Sequence, residues 1–263
     1  MDDLRRATVD WPDGYQLGYR PRPIQPIFHH HTRDNQLEPT LRPRVKICCI
    51  GSLEEAQLAI RYGADALGLV AKMSSGPGVI SESTIAEIAA SIPPSIGSFL
   101  LTSEQDVSAI VAQQIRCRVN TLQIVDRIEN GTYEDLRSAL PGVSLVQVIH
   151  VTGEESIDEA CRIAEQGVDA LLLDSGDQRL PVKLLGGTGR THDWRISRRI
   201  REAVNVPIFL AGGLSSENLA NAVRDVQPFG LDVCSSLRTD GKLDKSKLSQ
   251  FFSRVNLHVP ANR

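Results

Sequence analysis

The sequence has 263 residues, of which 41% are hydrophobic, 23% charged and 5% aromatic, and its 29 basic and 32 acidic side chains leave a formal net charge of −3. That composition excludes a disordered or fibrous chain, and the near-neutral balance supplies no field to attract nucleic acid or an anionic membrane surface. No apolar stretch approaches the roughly 18–20 residues that span a bilayer.

Residues 1–43 come first and stand apart. They begin MDDLRRATVDW, without the apolar core of a secretory signal. Pro12, Pro21, Pro23, Pro26, Pro39 and Pro43 interrupt them, and no helical or strand period is sustained. Proline fixes φ and removes a backbone donor, so this segment is expected to be an extended arm, lying on the main domain or partly disordered. Trp11, Tyr15, Tyr19 and Phe28 favour packing over free solvation. The run His29-His30-His31 is not expected to ligate a metal, because consecutive side chains of extended backbone point to alternate faces.

Residues 44–263 have a different texture. Short aliphatic or β-branched runs recur at 45–50, 65–70, 96–101, 119–125, 143–151, 168–174, 206–211 and 230–235. Between them lie apolar faces at helical spacing: Leu53, Ala56, Leu58, Ala59 and Ile60, then Ile85, Ile88 and Ala89, then Ile157, Cys161 and Ala164. Ser52 with Glu55 reads as a capping box, and Ser81 and Ser215 as N-caps. Continuously apolar strands alternating with helices imply a parallel sheet buried on both faces. The stretches Gly63-Ala64-Asp65-Ala66-Leu67, Gly167-Val168-Asp169-Ala170-Leu171 and Gly230-Leu231-Asp232-Val233 echo one another, each Gly suited to a left-handed helix C-cap before a strand. Eight units at roughly 27 residues each predict an α/β fold of the closed (β/α)8 TIM-barrel kind, with a proline-rich N-terminal extension. An open doubly wound sheet would favour G-x-G-x-x-G after the first strand, and Cys48-Cys49-Ile50-Gly51 is not that. The five cysteines (Cys48, Cys49, Cys117, Cys161, Cys234) are odd in number and lack C-x-x-C spacing, which predicts free thiols, no structural zinc and a reducing, cytoplasmic location.

Active sites of such barrels collect at the C-terminal strand ends. There the sequence offers Cys48 and Cys49 after strand one, Gln123 and Asp126 on strand four, Asp174 on strand six, Gly186 to Gly189 after it, Gly212 and Gly213 after strand seven, and Cys234, Ser235 and Ser236 after strand eight. Glycines and small hydroxyl residues after the last two strands leave backbone N–H groups uncovered for a phosphate, although Gly212 and Gly213 would also serve a tight turn. Cys48 could work as a thiolate base or be a small buried hydrophobe. Asp174 could donate a proton if burial raised its pKa, or simply cap a loop. Period-two alternation allows only one of Cys48 and Cys49 to face the mouth of a regular strand.

The stretches Lys46-Ile47-Cys48, Leu172-Leu173-Asp174, Gly186-Gly187-Thr188-Gly189-Arg190-Thr191-His192-Asp193-Trp194, Leu210-Ala211-Gly212-Gly213-Leu214 with Glu217-Asn218, and Leu231-Asp232-Val233-Cys234-Ser235 resemble, in order and spacing, the phosphoribosylanthranilate isomerase family. The resemblance implies a TIM barrel performing an Amadori rearrangement in tryptophan biosynthesis, with no cofactor and no metal. By the same resemblance Cys48 would be the general base and Asp174 the general acid. Gly212, Gly213, Ser235 and Ser236 would bind phosphate, and Gln123, Gly187, Thr188, Gly189 and Lys72 the rest of the substrate. The implied partner is a phosphorylated small molecule, not nucleic acid or membrane, with a homodimer open as the assembly.

Departures from the pattern fall at the other end of the site. Gly76-Pro77-Gly78-Val79-Ile80-Ser81 has a glycine where the family carries an arginine for the anthranilate carboxylate. Gln123-Ile124-Val125-Asp126 replaces Q-L-H-G, Cys49 replaces a glycine, and Cys234-Ser235-Ser236-Leu237-Arg238 replaces S-S-G-V-E. Losing a bidentate arginine–carboxylate contact costs a few kcal/mol unless another cation substitutes. Lys72 (otherwise a solvated loop lysine), Arg190, Arg20 and Arg22 are the candidates. Three readings follow: an isomerase of this type, a diverged barrel isomerase acting on another phosphosugar, and a non-catalytic binder of phosphate ligands.

Overall fold

The computed structural model describes residues 42–73, 76–176, 189 and 191–257. The arm up to residue 41, with His29–His31, Arg20 and Arg22, lies outside them, as do Gly187, Thr188 and Arg190.

Eight parallel strands close on themselves in sequence order, β8 pairing with β1. In chain order the elements are β1 (Arg44–Ile47), α1 (Leu53–Tyr62), β2 (Ala66–Val70), α2 (Glu82–Ser91), β3 (Gly97–Thr102), α3 (Val107–Cys117), β4 (Thr121–Ile124) and α4 (Tyr133–Ala139). They continue as β5 (Ser144–His150), α5 (Glu155–Ala164), β6 (Ala170–Asp174), α6 (Trp194–Ala203), β7 (Ile208–Leu210), α7 (Leu219–Val226) and β8 (Gly230–Val233). A 3-10 turn (Ser235–Leu237), a two-stranded ribbon of β9 (Arg238–Thr239) and β10 (Lys242–Leu243), and α8 (Lys245–Leu257) finish the chain. The eight apolar runs all become strands of the expected (β/α)8 barrel. Those at 45–50 and 230–235 run past the ladders they form, because Cys48, Cys49, Cys234 and Ser235 leave the sheet to line the mouth.

The strands are apolar on both faces because there are two cores. Val45, Ile47, Leu67, Leu69, Leu100, Leu122, Leu171 and Leu173 point outward onto Ala56, Ala59, Ile85, Ile88, Ile110 and Ile200 of the helices. Ala66, Val70, Phe99, Leu101, Val146, Val148, Leu172 and Phe209 fill the barrel itself. Each fully buried aliphatic side chain contributes about 1.5–3 kcal/mol. Phe99 and Phe209 meet edge to face, centroids 5.8 Å apart. Gly230 is not the predicted C-cap; Gln227 takes the left-handed position (φ 54°) ending α7. The glycine instead opens β8 to Phe209, whose Cε1 would lie 2.5 Å from any Cβ there.

Two of the predicted starts change in detail. Ser81 caps α2, accepting from the Thr84 amide at 3.1 Å. Ser52 accepts from the Glu55 amide at 3.3 Å, but the reciprocal half of the capping box is missing, because Glu55 turns to Arg238 and to the amides of Gly51 and Leu243. Ser215 sits one turn too early: Glu217 N donates to its Oγ at 3.3 Å, and α7 begins only at Leu219.

Candidate active site

The C-terminal strand ends open on a cavity whose empty space, counted out to solvent, is ≈ 690 Å³. Cys48, Gln123, Asp174, Gly189, Gly212, Gly213 and Ser235 all line it. Gly212 and Gly213 take φ of 83° and 61°, the left-handed region in which a residue without Cβ is unstrained. Ser236 does not line the cavity; its Oγ donates to Leu214 O at 2.6 Å and ties the loop after β8 to the loop after β7. Lys72 is exposed and off the cavity wall. No lysine or arginine is among the described residues of that wall.

The floor is ionic. Lys46 lies two residues before Cys48 on the inward face of β1, with Asp232 two residues before Cys234 on β8. Lys46 Nζ donates to Asp232 Oδ1 at 2.9 Å, with the lysine side chain wholly buried, and lies 5.5 Å from the Phe99 ring centroid. Burial opposes the ammonium, but Asp232 and the neighbouring thiols outweigh it, and Lys46 is held charged above its usual range. Asp174 stands at the end of β6, accepting from the Ser175 amide at 2.7 Å. Burial raises its carboxyl above the usual aspartate range, reinforced by Asp232 and partly offset by the Ser175 amide, His150 and Lys46. On β4, Gln123 is 3% exposed and its Oε1 has no hydrogen-bond partner among the described residues. An orphaned acceptor in a cavity wall costs about 1–3 kcal/mol until a ligand satisfies it.

Both cysteines after β1 line the cavity, against the strand-alternation expectation. The ladder ends at Ile47, and Cys49 adopts φ 60°, so its side chain swings round to the mouth. This also explains Gly78: a Cβ there would lie 2.5 Å from Cys49 Cβ and 3.0 Å from Cys49 Cα. With a side chain on Cys49, residue 78 has no room for one. The loop is anchored by Arg238, whose Nη2 donates to Cys48 O at 3.2 Å and to Cys49 O, and whose Nη1 donates to Glu55 Oε1 at 2.9 Å and Gly241 O at 2.8 Å. In the motif after β6, Asp193 caps α6, accepting from Arg195 N at 2.9 Å, and His192 Nε2 pairs with Ser197 Oγ at 2.6 Å. Burial pushes His192 down to about 4, so it is a neutral packing residue. Sequence reasoning missed the roles of Lys46, Asp232, Cys49 and Arg238. The period of two that puts Lys46 beside Cys48 and Asp232 beside Cys234 was the available signal for the first pair.

Comparisons with known proteins converge. The family model described as N-(5'phosphoribosyl)anthranilate (PRA) isomerase matches residues 45–254. A Methanosarcina mazei protein named N-(5'-phosphoribosyl)anthranilate isomerase 2 is 34% identical over 214 residues, covering 81% of this chain and 93% of its own. A crystal structure of phosphoribosyl anthranilate isomerase in complex with reduced 1-(o-carboxyphenylamino)-1-deoxyribulose 5-phosphate is similar with TM-score 0.65 at 25% identity, over 81% of this chain and 98% of that one. The fold is shared too by monomers generated from the dimeric Thermotoga maritima isomerase (TM-score 0.65, 23% identity, 81% and 98% coverage).

Proposed function

The chain belongs to the N-(5'-phosphoribosyl)anthranilate isomerase family, and from that membership we propose that Cys48 and Asp174 carry the two proton transfers of its reaction. The protein is an isomerase of tryptophan biosynthesis, performing the cofactor-independent Amadori rearrangement of a phosphoribosyl amine. Asp174, protonated further toward neutrality than an ordinary aspartate, gives its proton to the ribose ring oxygen as the ring opens. Cys48, as thiolate, removes the proton from C2 of the resulting imine, and the enolamine relaxes to the aminoketone. Gly212, Gly213 and Ser235 hold the phosphate with backbone amides, Ser236 holds their two loops together, and Gln123 Oε1 accepts from a sugar hydroxyl. The observation carrying this reading is that a thiol from β1, a carboxyl from β6 and the glycine turn after β7 line one cavity.

Phosphoribosylanthranilate should be turned over, with loss of its fluorescence, and reduced 1-(o-carboxyphenylamino)-1-deoxyribulose 5-phosphate should compete for the site. Folded protein inert toward that substrate would sink the reading. Gly78 favours a second reading of the aromatic end alone: faster turnover of a phosphoribosyl amine lacking the aromatic acid would establish it. Self-association, as in the dimeric Thermotoga maritima enzyme, is part of the proposal and is read by sedimentation.

Gly68 supplies a sharper test. A Cβ there would meet Cys48 Sγ at 2.8 Å, Lys46 Nζ at 2.9 Å and Cys48 Cα at 3.1 Å. Gly68→Ala therefore pushes the thiol out of place, and a shift on the order of 1 Å in a reacting group costs about 10²-fold in rate. Steady-state kinetics should show that loss in kcat, with an unchanged circular dichroism spectrum. Wild-type kcat in this variant would mean that the thiol does not react from this position.

A further inference from the structure

Three of the five cysteines meet at the mouth of the barrel: Cys48, Cys49 and Cys234 line the same cavity, and all five are free thiols. The reaction uses one of the three. Among the described residues no group of three or more His, Cys, Asp or Glu is arranged to hold a metal ion.

The geometry sorts the three thiols. Strands β1 and β8 are hydrogen-bonded neighbours, with Ile47 opposite Val233 and Cys48 N donating to Val233 O at 2.9 Å. That register sets Cys48 across from Cys234, with Cys49 one residue further on, where the ladder has ended. Cys48 Sγ leans the other way, toward β2, where it nearly touches the space beside Gly68. Cys49, turned by its left-handed backbone, places Sγ 3.5 Å from Pro77 O and lines the same cavity as Cys234, interacting with the Cys234 and Cys48 thiols. Cys234 is half-buried and opens on the cavity, so a small oxidant reaches it. Cys234 is also the acidic member of the pair: the hydrogen bond from Cys49 and the charge of Arg238 pull it down despite burial, whereas Cys49 is pushed up. A thiolate-prone, reachable cysteine beside a second thiol is the arrangement of redox-responsive sites.

We propose that Cys49 and Cys234 form a peroxide-responsive disulfide site at the barrel mouth, whose closure withdraws the β1 loop and stops turnover reversibly. The Cys234 thiolate attacks hydrogen peroxide, giving a sulfenic acid and releasing hydroxide. The Cys49 thiol then attacks that sulfur, the S–S bond forms, and water leaves. In sum two thiols and one peroxide become one disulfide and two waters, and a dithiol reductant reverses the oxidation. Closure pulls Cys49 away from Pro77 O and drags Cys48, its chain neighbour, with it. The loss of turnover rests on Cys48 being the base; the crosslink itself does not.

The test uses the full chain, reduced, desalted and then exposed to hydrogen peroxide. Non-reducing tryptic mass mapping should join the peptide 47–61 to the peptide 225–238 with loss of two hydrogens, and fragmentation should assign the bond to Cys49. Turnover should be lost and should return with dithiothreitol. Cys49→Gly, which suits the left-handed backbone, and Cys234→Ser should each abolish the crosslink and the dithiothreitol-reversible loss, each referred to its own reduced activity. Cys48→Ala should retain the crosslink. No crosslink, or one that involves Cys48, overturns the site; a crosslinked protein with full turnover overturns the switch. A peroxide-formed crosslink in protein whose reduced form never turned over phosphoribosylanthranilate would support the site and count against the isomerase reading instead.

Discussion

Asp174→Asn and Cys48→Ala should each lower kcat by about 10²–10⁴-fold while leaving KM nearly unchanged, because each removes a proton transfer and no ground-state contact. The two residues act on one substrate in sequence, so the double variant should lose less than the product of the single losses. The sign of the pH dependence follows from burial. Desolvation makes Asp174 hold its proton above the usual aspartate range, so the acid is present below that raised value and is lost as pH climbs through it. The wild-type kcat profile should therefore fall on that alkaline side, and Asp174→Asn should abolish this limb. A fluorescence assay across pH reads both effects. Near-wild-type kcat in either variant, or an unaltered limb in Asp174→Asn, would remove the assignment.

Breaking the Glu55–Arg238 pair should be the largest stability effect outside the core. Arg238 and Glu55 side chains are 11% and 17% exposed, 2.9 Å apart, and between them bind Gly51, Leu243, Gly241 and both cysteine carbonyls. Removing one partner strands the other as a buried charge, at about 3–5 kcal/mol. Urea unfolding of Arg238→Met should show a lower midpoint with unchanged slope, and Glu55→Gln with Arg238→Met should together cost less than their sum. Burial opposes ionised Glu55, but Arg238 and the two amides outweigh it, and the carboxyl lies below its usual range. This stability is thus present above the ordinary glutamate value and lost as pH falls through the lowered one. A midpoint within about 0.5 kcal/mol of wild type, the scatter of ordinary surface changes, would show that the pair does not hold the loop.

The barrel was readable because eight apolar runs separated by amphipathic faces leave few other topologies, and the strand ends led to Cys48, Asp174, Gln123 and the glycine turn. What escaped depended on contacts distant in sequence. Glu55 sits at the right spacing for a capping box with Ser52, yet Arg238, 183 positions away, captures its carboxylate. Alternation assigned one of Cys48 and Cys49 to the mouth; a single left-handed residue after Ile47 brought both there. Gly230 looked like a helix terminator through its neighbours in sequence, and is needed for a phenylalanine on the adjacent strand.

The crowding between Cys49 and Gly78 constrains how this mouth can be rebuilt. Two things keep a side chain out of position 78: Cys49, whose Cβ and Cα would lie 2.5 and 3.0 Å from the new Cβ, and a backbone φ of 80° that only glycine takes without strain. Emptying position 49 relieves part of the crowding and leaves the left-handed backbone at 78 as it was. A lineage or an engineer that removes the extra thiol therefore still has a backbone to remodel before residue 78 can carry a side chain.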